Sequence, residues 1–416
     1  MQDEPPSLYL FSRESRKWVK SLQGNQLLKT KYRAVRNQIF DFLGVSSFNE
    51  ISVFFNNEVL KNKATVRANK LLGNMFGIAL SHQDIDRFLQ GYAATADDVV
   101  NSLRGKVLAP YSSHIETSNE IETTHNPVDL LLIYFNRRFH KKARFEAKRK
   151  LVLMNLAGSI DQRERETDIA VKFSEFIIFL NQYVWSPSLK IGDLTLNYLH
   201  SKHKQQDFSC DSVSVLSEEE GLLKNPVVGE KLTLVKRRSF SYKGKDVPVY
   251  VTLRKKPPAA KVLKLLRKNE KNPATAVDDE LGLMAVLNSV AEVKMFVRHL
   301  TKSALKADSF MTLEDISDTL TGGKYSSRAT GSSGKTPMLK FFARLGGMRV
   351  EFIIHTNRSY LNYIYQRDVA HDEYEVKRIF DAGVAEFLFP RDIYNLDMNI
   401  IRKSQLDLFR RRIEEW

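Results

Sequence analysis

A Gly-Gly pair set between two alternating runs constrains this chain more than any other feature. In Met338–Thr356, MLKFFARLGGMRVEFIIHT, apolar and polar residues alternate on both sides of Gly346-Gly347. A two-residue glycine loop between such runs predicts a β-hairpin, because the tightest hairpin turns need positive φ at both central residues. Pairing across the loop sets Leu345 opposite Met348, Arg344 opposite Arg349, Phe342 opposite Glu351 and Phe341 opposite Phe352. Side chains alternate across a strand, so one face carries Leu339, Phe341, Ala343, Leu345, Met348, Val350, Phe352 and Ile354. The other carries Lys340, Arg344, Arg349, Glu351 and His355. Like charges directly opposite each other repel. Arg344 facing Arg349 therefore predicts either an anion between them or two side chains splayed into water. Glu351 is the one carboxylate on that face and the first candidate for chemistry.

The rest of the composition bears on partners. A formal charge of +15 over 416 residues points to a polyanionic partner: nucleic acid, nucleotides or an acidic protein surface. The length favours two or three domains, and 43% hydrophobic content is that of a globular protein. One cysteine, Cys210, excludes an internal disulfide and a cysteine-type metal cluster and suits a reducing compartment. No apolar run reaches the ~18 residues of a membrane span and no charged-then-apolar leader is evident, so a cytoplasmic setting is expected.

Along the chain, the pattern predicts an α+β fold. An all-α domain over residues 1–200 precedes a linker at 201–228 and a mixed α/β domain with a small, partly antiparallel sheet over 229–416. Short capped helices fill the first part, with start signals at Ser47–Glu50, Ser81–Asp84 and Asn126-Pro127. The helix predicted near Ile169–Tyr183 is apolar nearly all round, which places it in the N-terminal core. One long helix from Pro127 ends in a dense run of bases: Arg137, Arg138, Lys141, Lys142, Arg144, Lys148 and Arg149, interleaved with Phe139 and Phe145. A solvated helix face has this composition. So does a grip on a nucleic-acid backbone, where each contact contributes through counterion release.

Ala329–Thr336, ATGSSGKT, matches a relaxed P-loop pattern, but no buried strand precedes it and the following residues read as a strand rather than a helix. His200 and His203 lack a third ligand nearby. What remains is a pair of carboxylate positions with bases: Asp278-Asp279 before one strand, Glu351 on the hairpin, and Arg254, Lys255, Lys261 and Lys264 upstream. Carboxylates on neighbouring strands can hold Mg²⁺ with substrate phosphates while Lys and Arg neutralise them. The same carboxylates also read as ordinary surface charges balancing a basic domain.

Residues Val251–Arg378 resemble the synthetase domain of RelA/SpoT-type alarmone enzymes. Three pieces carry the likeness in order: LRKKPPAAKVLKLLRK (Leu253–Lys268), DDELGLMAV (Asp278–Val286) and RVEFIIHT (Arg349–Thr356), the last followed by His371 and Tyr374. The resemblance implies a nucleotidyltransferase-like fold and transfer of pyrophosphate from ATP to a guanine nucleotide or a tRNA end. It implies Asp279 and Glu351 as the Mg²⁺ carboxylates and catalytic pair, with Arg254, Lys261 and Lys264 on the triphosphate. Arg344, Arg349 and His355 join that phosphate-binding set from the hairpin. The chain departs from the pattern at Met284 and His355, where the family has arginine, and at Ile353, where it has glutamine. Tyr325–Arg328 is the nearest equivalent of the segment that stacks the acceptor base. Two functions are therefore expected: a nucleotide- or RNA-end-modifying phosphoryl or pyrophosphoryl transferase, active or degenerate, or a non-enzymatic nucleic-acid-binding protein such as a virus or phage encodes.

Overall fold

The structure, a computed structural model, describes residues 24–78, 81–186, 195–277, 279–323 and 335–415. Helices α1 (Gln26–Leu43), α2 (Glu58–Met75), α3 (His82–Ser102), α4 (Pro127–Phe135), α5 (Lys141–Glu166) and α6 (Ile169–Phe179) come first. Strands β1 (Thr195–His203), β2 (Cys210–Ser217), β3 (Glu230–Tyr242) and β4 (Lys245–Lys255) follow. After them come α7 (Pro258–Lys268), β5 (Leu281–Leu287), α8 (Val290–Lys306) and β6 (Thr312–Asp318). The hairpin strands β7 (Leu339–Leu345) and β8 (Met348–Thr356) lead into α9 (Asn357–Tyr365), α10 (His371–Asp381) and α11 (Met398–Glu415). The fold is α+β, as expected, but its sheet is not small: eight strands run in the order β2-β1-β3-β4-β5-β8-β7-β6.

The chain divides into two compact units. One takes the described residues up to Glu166 with Pro257–Ala276 and Ala382–Ile401; the other takes Thr167–Lys256, Val277–Asp381 and the chain from Arg402. This differs from the expected division in three places. The stretch read as a linker contains the end of β1, Ser201–His203, and all of β2. Helix α6 belongs to the sheet unit, where Phe176 and Phe179 are buried and Phe176 meets Phe352 edge-on, ring centres 6.0 Å apart. Helix α7 belongs to the helical unit: Lys261 is fully buried there and its Nζ reaches Glu164 Oε1 of α5 at 2.6 Å.

In the helical unit, Ile39, Leu43, Phe54, Ala68, Val128 and Leu131 form one core cluster. The Asn126 side chain accepts the Val128 N–H at 2.8 Å and opens α4 as its sequence predicts. The predicted long helix, however, is broken: α4 stops at Phe135, and α5 begins at Lys141 after five intervening residues. Asn136 leaves the helix with φ −80° and ψ 110°, and its side chain accepts the Arg138 N–H. This local turn competes with helix continuation, as asparagine commonly does.

In the sheet unit, the hairpin pairs in the expected register throughout, from Leu345↔Met348 to Phe341↔Phe352. Gly346 and Gly347 have φ of 54° and 77°, the left-handed pair that a type I′ turn requires. β5 lies parallel to β8, and the other pairings are antiparallel. The face bearing Phe341, Leu345, Val350, Phe352 and Ile354 is buried with Val293, Phe296 and Leu300 of α8. The opposite face is not a free polar surface. Leu199, Val235, Tyr250 and Val286 are buried there with Leu361 of α9, and Glu351 and His355 retain only 3% and 0% exposure.

Candidate functional site

Cross-strand register gathers the charged residues of this second face. Arg254 on β4 stands opposite Gly282 on β5, and Gly282 stands opposite Glu351 on β8. The Arg254 side chain crosses above the glycine, and its Nη2 donates to Glu351 Oε2 at 2.5 Å. A Cβ at Gly282 would lie 2.8 Å from Arg254 Nε, so the absence of a side chain there opens the path. From the other side Lys340 Nζ meets Glu351 Oε1 at 2.9 Å. Both oxygens of one carboxylate thus hold cations. The Glu351 side chain is 4% exposed and that of Lys340 12%, whereas that of Arg254 keeps 37% and faces outward. Within the cluster two cations thus stand against one carboxylate.

Helix α9 closes the other end of the cluster. Thr356 and Ser359 form a reciprocal capping box that starts this helix directly after β8. His355 Nδ1 lies 3.2 Å from Ser359 Oγ. Tyr363 packs 5.1 Å from His355 and stacks on His371 of α10 at 5.0 Å. Burial pushes the Tyr363 phenol up, and the charges of Arg254 and Glu351 act on it. Burial also pushes His355 down to about 3, opposed in part by the Pro337 backbone. His355 is therefore neutral and enclosed, which corrects its expected place among the phosphate contacts.

Arg344 and Arg349 do face each other, and the anion between them belongs to the chain. Glu314 of β6 takes Arg344 Nε with one oxygen and Arg349 Nε with the other, the latter at 3.2 Å. Asp315, at positive φ in a bulge of β6, takes Arg349 Nη2 at 2.9 Å. The Arg349 guanidinium also lies 3.6 Å above the Phe342 ring. These arginines therefore hold the edge strand in place instead of presenting an empty anion site.

The remaining expected residues are dispersed. Asp279 pairs with Lys256, and Asp278 lies outside the described residues, as do Tyr325–Arg328 and the P-loop-like residues up to Gly334. Lys261, buried on Glu164, is not available to a triphosphate, and Lys264 is half-buried on α7 in the helical unit. Among the basic run, Arg137, Arg138 and Lys141 are exposed, and Lys142 and Arg144 are half-buried. Lys148 and Arg149, expected on a nucleic-acid face, are 7% and 2% exposed. Arg149 donates to the Leu388 carbonyl at 2.8 Å and the Tyr394 hydroxyl at 2.9 Å, with the Phe389 ring 5.1 Å away. The bases at this end of the run hold helices together.

A divalent ion finds no ready donor set here. Glu351 and Asp279 are each engaged by lysine or arginine, and the described residues contain no group of three or more His, Cys, Asp or Glu that could hold a metal. Sequence reasoning left out Lys340, Gly282, Tyr363 and Glu314 as site residues. Lys340 and Gly282 were legible once the register was written out across four strands, since a glycine inside a strand marks a close approach. No helix among the described residues is long and apolar enough to cross a membrane. Compared with known proteins, the chain matches no family model, no curated protein and no solved structure.

Proposed function

We propose that the sheet unit is a RelA/SpoT-like, nucleotidyltransferase-like domain that binds a nucleoside polyphosphate. In this reading Arg254 and Lys340 meet the phosphates, and Glu351 holds those two cations in place. The observation that carries it is the row Arg254–Gly282–Glu351, in which a glycine lets an arginine cross a whole strand to reach a buried carboxylate. A guanidinium fixed at one edge still presents N–H groups at the other, and that planar fork suits phosphate oxygens. The resemblance of residues 251–378 to the alarmone synthetases adds the substrate class.

The transfer chemistry of such enzymes runs on metal-bound carboxylates. Here Glu351 and Asp279 are occupied by cations of the chain, and Met284, Ile353 and His355 replace residues of the pattern. The reading is therefore nucleotide binding with pyrophosphoryl transfer lost, and no catalytic step is assigned to Mg²⁺. The test is incubation with Mg²⁺, γ-labelled ATP and, separately, GDP, GTP or total tRNA, with Glu351→Gln alongside. The expected result is nucleotide binding without transferred label. Label moved by the wild type and not by the variant would restore an active transferase, and absence of any nucleotide binding would overturn the reading altogether.

Exposed Arg137, Arg138 and Lys141 on a chain of charge +15 favour a second reading, a grip on nucleic acid by the helical unit. Its mark would be salt-sensitive binding of RNA or DNA that survives Glu351→Gln and weakens on replacing Arg137 and Arg138 by alanine.

A further inference from the structure

The two edges of the sheet are built differently. β6, at one edge, carries a bulge with Asp315 at positive φ, and Arg344 and Arg349 hold its carboxylates Glu314 and Asp315. Bulges and charges are the usual devices that keep an edge strand from pairing with another chain. β2, at the other edge, has neither along Ser212–Ser217. Its residues SVSVLS carry no charge and no proline, and they pair with β1 in unbroken register. Ser212, Ser214 and Val215 are exposed, the last at 43%.

The charges at the two ends of β2 are complementary. At its start, exposed Arg358 of α9 donates its Nε to the Cys210 carbonyl at 3.0 Å. At its end the chain enters the short helix Glu218–Leu223, whose first turn holds Glu218, Glu219 and Glu220. Glu220 closes a capping box with Ser217, and Glu218 and Glu219 are exposed. Gly221 of this helix lies against the Tyr198 ring of β1, where a Cβ would clash, so the helix sits on the sheet beside β2. It carries Leu222 and Leu223 there at 70% and 85% exposure. A second strand of the same sequence, laid antiparallel, brings the acidic end of each copy to the Arg358 end of the other.

We propose that β2 pairs with β2 of a second copy of this chain, antiparallel about a two-fold axis at Ser214, joining the two sheets edge to edge. This register sets Ser214 opposite itself, Val213 opposite Val215, Ser212 opposite Leu216 and Asp211 opposite Ser217, so no like charges meet. The two valines cover each other twice, once on each side of the axis. A two-fold interface uses one patch on both copies, and a strand with opposite charges at its two ends is complementary to itself. The proposal is independent of nucleotide binding by the sheet unit.

The test is sedimentation equilibrium of the full chain over a range of concentrations, with Ser214→Asp and Ser214→Cys alongside. The wild type is expected to dimerise reversibly. Ser214→Asp sets two carboxylates face to face on the axis and should raise the dimer Kd about tenfold or more. Its urea midpoint should stay close to wild type, because Ser214 is exposed. Under mild oxidation Ser214→Cys should form a covalent dimer, since facing residues of an antiparallel pair lie within disulfide reach. Asp211→Cys, which faces Ser217, should not. Glu218→Arg made together with Glu219→Arg should weaken self-association, and mixing that variant with Arg358→Glu should restore a dimer. A monomer at every concentration, the result expected if a segment of the same chain covers β2, would overturn the proposal. So would a dimer indifferent to Ser214→Asp, or cross-linking no faster at position 214 than at 211.

Discussion

Glu351 and Glu314 pose the same electrostatic problem in two settings of one sheet. Each carboxylate sits between two cations: Glu351 between Arg254 and Lys340, Glu314 between Arg344 and Arg349. The Glu351 side chain is 4% exposed and that of Glu314 33%. At the more open site the Arg344 and then the Arg349 guanidinium hold the Glu314 carboxyl below the usual carboxylate range, but water and salt share the work. At the buried site water cannot replace a lost partner. Removing one member leaves the others desolvated and unpaired, so a near-identical charge motif becomes structurally indispensable. The Glu314 group fastens an edge strand; in the function proposed above, the Glu351 group fixes the cations offered to a phosphate.

The comparison breaks most sharply at Glu351 itself. Glu351→Ala strands Lys340 on a largely buried face while Arg254, 37% exposed, falls back on water, and should destabilise the sheet unit by about 3 kcal/mol, the low end for a broken buried pair, read from urea unfolding. Gly282→Ala comes next, at about 1–3 kcal/mol, because its Cβ displaces the arginine from its path. Arg254→Ala made in that background should add little, since the ion pair is already broken.

A third effect appears only with pH. His355 is held down to about 3 against an ordinary 6.5, so below pH 6.5 the unfolded chain takes up a proton that the folded chain refuses. Stability from this group is complete above pH 6.5 and falls as the pH drops toward 3. Burial lowers His203 and His299 as well, which steepens the same slope. Urea midpoints measured across that window should flatten in His355→Gln. An unchanged slope would mean that His355 is reached by solvent protons in the native state. The smallest effect is expected at the half-buried counterpart: Glu314→Gln should destabilise by about 1 kcal/mol or less, a small drop in the thermal midpoint.

How much of this was legible depended on the range of the interactions. The hairpin register followed from Gly346-Gly347 and local alternation alone, because turn type and side-chain period fix it within a few residues. The burial of Glu351 and His355 was not legible, since the cover over their face comes from α9, whose docking no local pattern announces. Strands β1, β2 and β6 escaped for a related reason. β2 and β6 are edge strands; CDSVSVLS keeps most of its side chains in water and TLEDISD buries only one, so their composition reads as loop. Glu314 was lost with β6, and with it the anion between the two arginines. In the basic run, composition could not separate exposed Arg137 and Arg138 from buried Arg149, whose partners Leu388 and Tyr394 lie 239 and 245 residues along the chain.

The most direct measurement is calorimetric titration of ATP and of GTP into the wild type, Arg254→Ala and Glu314→Gln, all at one salt concentration. The predicted result is binding by the wild type, unchanged by Glu314→Gln and weakened about ten- to a hundredfold by Arg254→Ala, the range of one charged hydrogen bond. Binding that Arg254→Ala leaves intact, or none in the wild type, would contradict a phosphate site built on Arg254 and Glu351.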